Sequence, residues 1–219
     1  MHYKVISTGS KGNAVVINEN ILIDCGVSYK AISEHVSKLA IVLLTHLHTD
    51  HYRASTVKKL AAERPKLRFA CGSWMVPELV KIGVNKANID VMLPKTKYNY
   101  GRFEVIPETL VHNVPNYGWH IYIGPEKMFY ATDTGNLDGI EAKDYDLYMV
   151  EANYTKEEIE QRIMRKQEAG EYVYEHDVFQ NHLDQEQTDT FLMDNMSDRS
   201  EYVYLHEHED RYEKHFAKE

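Results

Sequence analysis

The segment that most constrains this chain is Thr45-His46-Leu47-His48-Thr49-Asp50-His51, the direct continuation of the apolar run Ala40 to Thr45, AIVLLT. Four side chains able to bind a divalent ion fall within six residues. Imidazole with carboxylate is the donor set of zinc and related borderline ions. The apolar run reads as a strand covered on both faces, although a buried helix has the same pattern. If Thr45 ends the strand and Tyr52 opens a helix, the joining loop gathers these side chains at a sheet edge. His46 and His48, two apart in extended backbone, then face the same way and grip one ion. Asp50 and His51, past the bend, turn toward a neighbouring ion. Core packing asks for no such group, since partly buried polar side chains need partners. A lone histidine, by contrast, is ordinarily a surface or hydrogen-bonded residue.

Around this segment the front half reads as short strands and turns. Tyr3 to Thr8 runs into the turn Gly9-Ser10-Lys11-Gly12-Asn13, and Ala14 to Ile17 and Ile21 to Asp24 flank a hairpin signal at Asn18-Glu19-Asn20. Ser28 is placed to cap a short helix toward Val36. Tyr52 to Arg64 is predicted helical and stopped by Pro65, and Ser73 to Ile82 is predicted to be a second helix, started at Pro77. Strands are expected at Leu67 to Cys71, Ile89 to Leu93, Phe103 to Ile106, Trp119 to Ile123 and Met128 to Ala131. In the second half, Thr155 with Glu158 and Asp184 with Gln187 have capping-box spacing, each opening a helix, and Gly170 ends the first of them. A last strand, Tyr202 to Leu205, runs into His206-Glu207-His208, and the charged tail from Glu209 is expected to be solvated.

Composition narrows the class. With 43% hydrophobic and 27% charged residues, the chain is that of a folded globular protein. No tandem repeat, low-complexity linker or Pro/Gly-rich boundary divides its 219 residues, so one domain over 1–219 is expected. Strands at short intervals with helices between them suggest sheets carrying helices on their outer faces, an α/β architecture. The amino terminus lacks the apolar core of a signal peptide, and no stretch approaches the roughly 20 apolar residues of a spanning helix. Cys25 and Cys71 cannot make a disulfide framework, so a reducing cytoplasm is the expected setting and no membrane association is foreseen. A formal charge of -9 argues against broad electrostatic wrapping of nucleic acid. Bound divalent ions would nevertheless reverse the field where a phosphate lands.

The motif HLHTDH resembles the His-x-His-x-Asp-His pattern of the metallo-beta-lactamase fold superfamily. GSKGNAVVI, ILIDCG, HNVPNYG and YATDTG resemble, in order and approximate spacing, the small exonuclease-like branch labelled YycJ. The resemblance implies a four-layer αβ/βα sandwich holding two divalent metal ions, zinc or manganese. It gives His46, His48 and His112 to the first ion, Asp50, His51 and a late histidine to the second, and Asp133 to both as a bridge. Asp133 also ends the apolar run Lys127 to Ala131, in a polar turn. His206, after the strand YVYL, matches the superfamily's terminal His-Leu-Ser position, though Glu207 and Asp210 stand where it favours small or neutral residues. His208 is the neighbouring alternative. His182, in Asn181-His182-Leu183-Asp184, resembles the branch's Gly-His-Leu-Ser-Asn element and reads either as a group near the substrate or behind the ligands, or as a plain helix start.

Two further positions follow. Asp24 can accept a proton from the far nitrogen of a ligating histidine, or simply cap its own turn. The branch's Glu-Ser/Ala-Asn-His-Asp element is here Glu151-Ala152-Asn153-Tyr154-Thr155, which puts in doubt a family role near Asn153. The 9–13 turn lacks the spacing of a phosphate loop, and Cys25 lacks the surroundings of a nucleophile.

Two adjacent ions activate a shared water and receive charge on a leaving oxygen, with Asp50 and Asp133 the carboxylates closest to the reaction. The expected activity is hydrolysis of a phosphodiester, at DNA ends or in single strands, with nucleic acid or nucleotide as substrate. Lys11, Tyr117, Lys30 and Arg53 are candidate phosphate or base contacts. The alternatives are a small- or cyclic-nucleotide phosphodiesterase, a thioester or lactone hydrolase, and a non-catalytic protein stapled by metal. Oligomeric state is open on sequence grounds.

Overall fold

The computed structural model describes residues 1–173 and 175–207. Strands β1 (Tyr3–Ser7), β2 (Ala14–Ile17), β3 (Ile21–Ile23), β4 (Ile41–Leu43), β5 (Arg68–Cys71) and β6 (Ile89–Val91) form one sheet in that spatial order. The other sheet contains β7 (Tyr98–Asn99), β8 (Glu104–Leu110), β9 (Asn116–Ile123), β10 (Glu126–Ala131), β11 (Leu147–Glu151) and β12 (Glu201–Leu205), again in chain order. Each sheet begins as an antiparallel meander and ends in parallel strands: β3 to β6 in the first, β10 to β12 in the second. Asn18 (φ 44°) and Glu19 (φ 62°) supply the left-handed backbone that reverses the chain between β2 and β3.

Period-two alternation explains the layers. Ile17, Ile21, Ile23, Ile41 and Leu43 face Trp119, Ile121, Tyr130 and Met149 between the two sheets. The alternate residues Val16, Leu22, Val42 and Phe69 face outward and pack against Ile32 of α1 (Tyr29–Ile32), Val57 and Leu60 of α2 (Ala54–Glu63) and Leu79 of α3 (Val76–Lys81). On the opposite outer face, Phe129, Tyr148 and Val150 pack against Phe191 and Leu192 of α6 (Gln185–Asn195). The result is an αβ/βα sandwich. Because both faces of β4 are covered, Ile41 to Leu44 is apolar throughout; burying each such side chain contributes roughly 1.5–3 kcal/mol.

Both predicted capping boxes are present. Thr155 with Glu158 opens α4 (Lys156–Ala169), which Gly170 ends at φ 67°, and Asp184 with Gln187 opens α6. Some boundaries differ from the sequence reading. Ser28 makes no side-chain cap, and α1 is a single turn. The predicted helix from Ser73 to Ile82 is a 3₁₀ turn, Ser73–Met75, leading into α3. Helix α5 (Glu175–Asn181) was not foreseen, because its sequence has no clear apolar stripe.

Candidate metal centre

The ligand candidates stand where strands run out at one edge of the sandwich. His46 follows β4, His112 follows β8, Asp133 follows β10 and His206 follows β12. Past His46 the chain turns back, with His51 and Tyr52 donating backbone N–H to the His48 carbonyl at 3.0 and 2.7 Å. Asp24 (φ 59°), Asp133 (φ 56°) and His206 (φ 52°) all take left-handed backbone conformations. For residues other than glycine each costs on the order of 1 kcal/mol, and the surrounding structure must hold them there.

These turns gather the donors into two groups that share Asp133: His46, His48, His112 and Asp133, and Asp50, His51, Asp133 and His206. Within each group the ligand atoms lie within 4.8 Å of one another. Around Asp133 Oδ2 stand the Nε2 atoms of His46 at 3.5 Å, His51 at 3.4 Å and His112 at 3.8 Å. His206 Nε2 is 3.5 Å from Asp133 Oδ1 and 3.3 Å from Asp50 Oδ2.

His46 shows that this set fits a cation. The Thr45 hydroxyl donates its one hydrogen to Asp24, at 3.0 Å from both carboxylate oxygens, and so accepts from His46 Nδ1 at 2.9 Å. That leaves a lone pair on His46 Nε2, a buried atom with no hydrogen-bond partner among the described residues, facing an Asp133 oxygen that can also only accept. Two acceptors meeting in a buried site lack the positive charge between them that a divalent ion supplies.

Other side chains hold the donors in place. Asp24, fully buried, accepts the Thr45 N–H at 2.9 Å and sits 2.7 Å from His51 Nδ1. It therefore holds the His51 ring rather than capping its own turn. The Asn153 amide nitrogen lies 2.8 Å from His206 Nδ1 and donates to the His206 carbonyl at 3.1 Å. The His206 N–H donates to the Thr8 hydroxyl at 2.7 Å.

Electrostatics follow from burial and charge. Burial pushes His112 down to about 4, against the pull of Asp133, and lowers His48. Both rings are therefore neutral at pH 7, as metal binding requires. Burial opposes a charge on His51, yet Asp133 and Asp24 hold it well above the ordinary histidine range. Burial likewise works to raise Asp50, and its hydrogen bond to His206 and the charge of His51 outweigh that, leaving it below the ordinary carboxylate range. The carboxylates demand positive charge at this spot.

A third group, Asp133, Glu151, His182 and His206, continues the cluster. Glu151, fully buried at the end of β11, is 2.9 Å from His182 Nδ1 and also accepts the Thr134 N–H. The His182 ring stacks on His206 with centroids 5.3 Å apart. Burial opposes charging His182, but Glu151 prevails and raises it to about 9.

The remaining sequence candidates divide. Lys11 and Arg53 line a cavity that includes Asp50, and Lys30 is exposed on α1. Tyr117, expected at a phosphate or base, is instead 3% exposed between the sheets, with its hydroxyl donating to the Met92 carbonyl at 3.1 Å. Its position on β9 alternates inward. His208 lies outside the described residues. Sequence reasoning gave no role to Glu151 or Asn13. The Asn13 amide nitrogen lies 2.8 Å from His51 Nε2, its oxygen held by the Gly9 N–H at 2.8 Å. The signal available for Glu151 was the one used for Asp24 and Asp133, a carboxylate ending an apolar strand.

Comparison with known proteins agrees with this fold. A family profile described as "Beta-lactamase superfamily domain" matches residues 19–194. Among solved structures, the metallo-beta-lactamase fold protein YhfI from Bacillus subtilis superposes with a TM-score of 0.70 at 17% identity, covering 94% of this chain and 85% of that one. Human tRNase Z, short form, gives a TM-score of 0.67 at 16% identity, with 96% and 94% covered. A diphosphatase of the PhnP family gives 0.66 at 12% identity, with 99% and 91% covered. No curated protein sequence matches the chain.

Proposed function

Starting from the chain's membership of the beta-lactamase superfamily, which the match over residues 19–194 establishes, we propose that it is a metal-dependent phosphodiesterase acting on nucleic-acid ends or single strands. The observation that carries the reading is the sharing of Asp133 between two donor groups, one with three histidines and one with Asp50, His51 and His206. We assign these seven residues to two divalent ions, zinc or manganese. Such ions, when bound, lower the pKa of water toward neutrality and polarise a phosphoryl oxygen.

The chain's own residues supply the rest. Asp133 and Asp50 set the spacing of the donors and orient the attacking water by accepting its hydrogen. Asp24 and Thr45 fix His51 and His46, and Asn153 fixes His206. His182, its Nδ1 held by Glu151, stands at the rim of the cluster as a proton donor to the leaving oxygen. No serine or cysteine nucleophile is required: both cysteines are free and buried, and burial pushes Cys71 up to about 12, far from a reactive thiolate. Two free thiols also suit a reducing, cytoplasmic setting. We read 1–219 as one hydrolase domain.

Phosphorus–oxygen chemistry is favoured over thioester or lactone cleavage by the full second donor group, which suits an anionic leaving oxygen. The neighbours named as a tRNase and a diphosphatase support the same class. A small- or cyclic-nucleotide phosphodiesterase is the second reading. It is favoured by the formal charge of -9 and by the stretch between Asp133 and His206, whose described helices pack on the second sheet or on each other.

The test is a substrate panel with added Mn²⁺ or Zn²⁺: 5'-labelled single- and double-stranded DNA, RNA, cyclic nucleotides, bis(p-nitrophenyl) phosphate and a thioester. Nucleotide release from DNA should fall about a hundredfold or more in both His48→Ala and Asp133→Ala. Cleavage confined to cyclic nucleotides would replace the first reading with the second, and turnover surviving either substitution would refute the site.

A further inference from the structure

His112, just past β8, belongs to the donor group of His46, His48 and Asp133, and its side chain is 2% exposed. A neutral imidazole carries one N–H, and the nitrogen that bears it cannot meet a cation. His112 Nδ1 lies 3.1 Å from the Asn181 carbonyl, and a carbonyl oxygen can only accept. The hydrogen is therefore on Nδ1 and the lone pair on Nε2. That Nε2 stands 3.2 Å from His48 Nδ1 and 3.8 Å from Asp133 Oδ2. The acceptor that settles the ring is main chain, 69 residues further along, at the last residue of α5.

Backbone contacts place this end of α5. Phe179 in its last turn remains 42% exposed, with its ring edge-on to Tyr154 at 5.6 Å, so apolar burial there does little to fix the helix. Gly135, in the turn after Asp133, donates its N–H to the Val111 carbonyl at 2.7 Å, and the Val111 N–H donates to the Thr134 hydroxyl at 3.0 Å. The Asp133 turn is thus tied to the residue preceding His112. Against that turn the helix end packs with no side chain between: a Cβ on Gly135 would fall 2.1 Å from the Gln180 carbonyl oxygen and 3.0 Å from its carbon. The φ of Gly135 is not in the left-handed region, so what this glycine supplies is space.

The other side of Asn181 is anchored as well. The His182 N–H donates to the Val178 carbonyl at 3.0 Å, and the Leu183 carbonyl accepts the Asn153 N–H at 3.0 Å. His182 Nδ1 is 2.9 Å from buried Glu151. The Asn181 carbonyl is therefore held between Gly135 and the end of β11, aimed at His112.

We propose that α5 is the positioning element of the His46, His48 and His112 group, and that Gly135 is the residue that seats it. With no side chain at 135, the helix end comes close enough for the Asn181 carbonyl to keep the His112 hydrogen on Nδ1 and leave Nε2 open to a divalent ion. Outer hydrogen bonds of this kind fix the tautomer and direction of a ligand ring and raise its basicity. The inference deepens the metal-centre reading and rests on it.

The test reads the tautomer directly. In long-range ¹H–¹⁵N spectra of the metal-free wild type at pH 7, the His112 ring, assigned by its loss in His112→Gln, should carry its hydrogen on Nδ1. Gly135→Ala should lose that preference. In competition with a chromogenic chelator, the Zn²⁺ step that His112→Gln removes should weaken about 10- to 100-fold in Gly135→Ala, and the other step should stay within about twofold of wild type. Leu79→Ala, a core change on α3, should lower the melting temperature and leave the tautomer and both Zn²⁺ steps unmoved. A wild-type ring protonated on Nε2 would overturn the proposal, and that measurement needs no folded variant. So would a Gly135→Ala chain with the wild-type tautomer and both Zn²⁺ steps intact. No Zn²⁺ uptake by the wild type would refute the metal-centre reading and this proposal with it, a failure distinct from the other two.

Discussion

His51 Nδ1 lies 2.7 Å from Asp24 Oδ2, and neither side chain reaches solvent. The same carboxylate accepts the Thr45 N–H and hydroxyl, and Thr45 in turn holds His46. One buried acid therefore sets the direction of two histidine rings in different candidate donor groups. Asp24→Asn should lower metal affinity about 10- to 100-fold, measured by competition with a chromogenic chelator. An affinity within twofold of wild type would remove Asp24 from this role.

Metal removal should be visible as lost stability. A ligand present at a thousand times its dissociation constant stabilises by about 4 kcal/mol, which for a domain of this size is roughly 10 °C in melting temperature. Differential scanning fluorimetry with EDTA and then with excess Zn²⁺ or Mn²⁺ should show that difference. Asp133→Ala, which removes a donor from every group, should abolish most of it. A melting temperature indifferent to metal in the wild type would contradict the assignment.

Glu151 and His182 should behave as one unit. His182→Asn and Glu151→Gln should each lower turnover of an unactivated diester by about a hundredfold or more, and the double variant should be little worse than either. A substrate with a good leaving group, such as bis(p-nitrophenyl) phosphate, should be affected much less, since its leaving oxygen needs no proton. Additive losses, or equal losses on both substrates, would assign the pair to structure alone.

Acid sensitivity should come partly from His120, well away from the metal groups. Burial first, and then Lys95, push its ring down to about 4; Glu108, 3.7 Å away, is itself paired with Lys95. Between pH 6.5 and 4 the unfolded chain therefore binds the proton more readily than the folded one. Stability is lost as pH falls through that window, with a limiting slope of about 1.4 kcal/mol per pH unit. Urea melts at pH 7 and pH 5 should show His120→Gln losing less stability between the two than wild type.

Legibility in the sequence followed locality. His46, His48, Asp50 and His51 stood out as candidates because they fall within six residues at one strand end, and the sandwich because both sheets obey a period of two. The ends of α4 and α6 were readable because capping boxes are chemical and short-range. His112, Asp133 and His206 gained their assignments through family resemblance, since nothing local ties them to the motif. Glu151 had only its place at the end of an apolar strand to mark it, because its partners His182 and Thr134 meet it only across the fold. Tyr117 misled because an aromatic with a polar tip suits a ligand contact and a buried strand equally well.

The donors come from both halves of the sandwich: His46, His48, Asp50 and His51 from the first sheet's loops, and His112, Asp133 and His206 from the second's. An ion bound here would therefore rivet two sheets that the greasy seam and a few hydrogen bonds, such as Tyr117 to Met92 and His206 to Thr8, already join. Limited proteolysis or hydrogen exchange should find the open rim loosening before the opposite edge when the chain is stripped with chelator, so ions at this site would keep the shell shut as well as serve the proposed reaction.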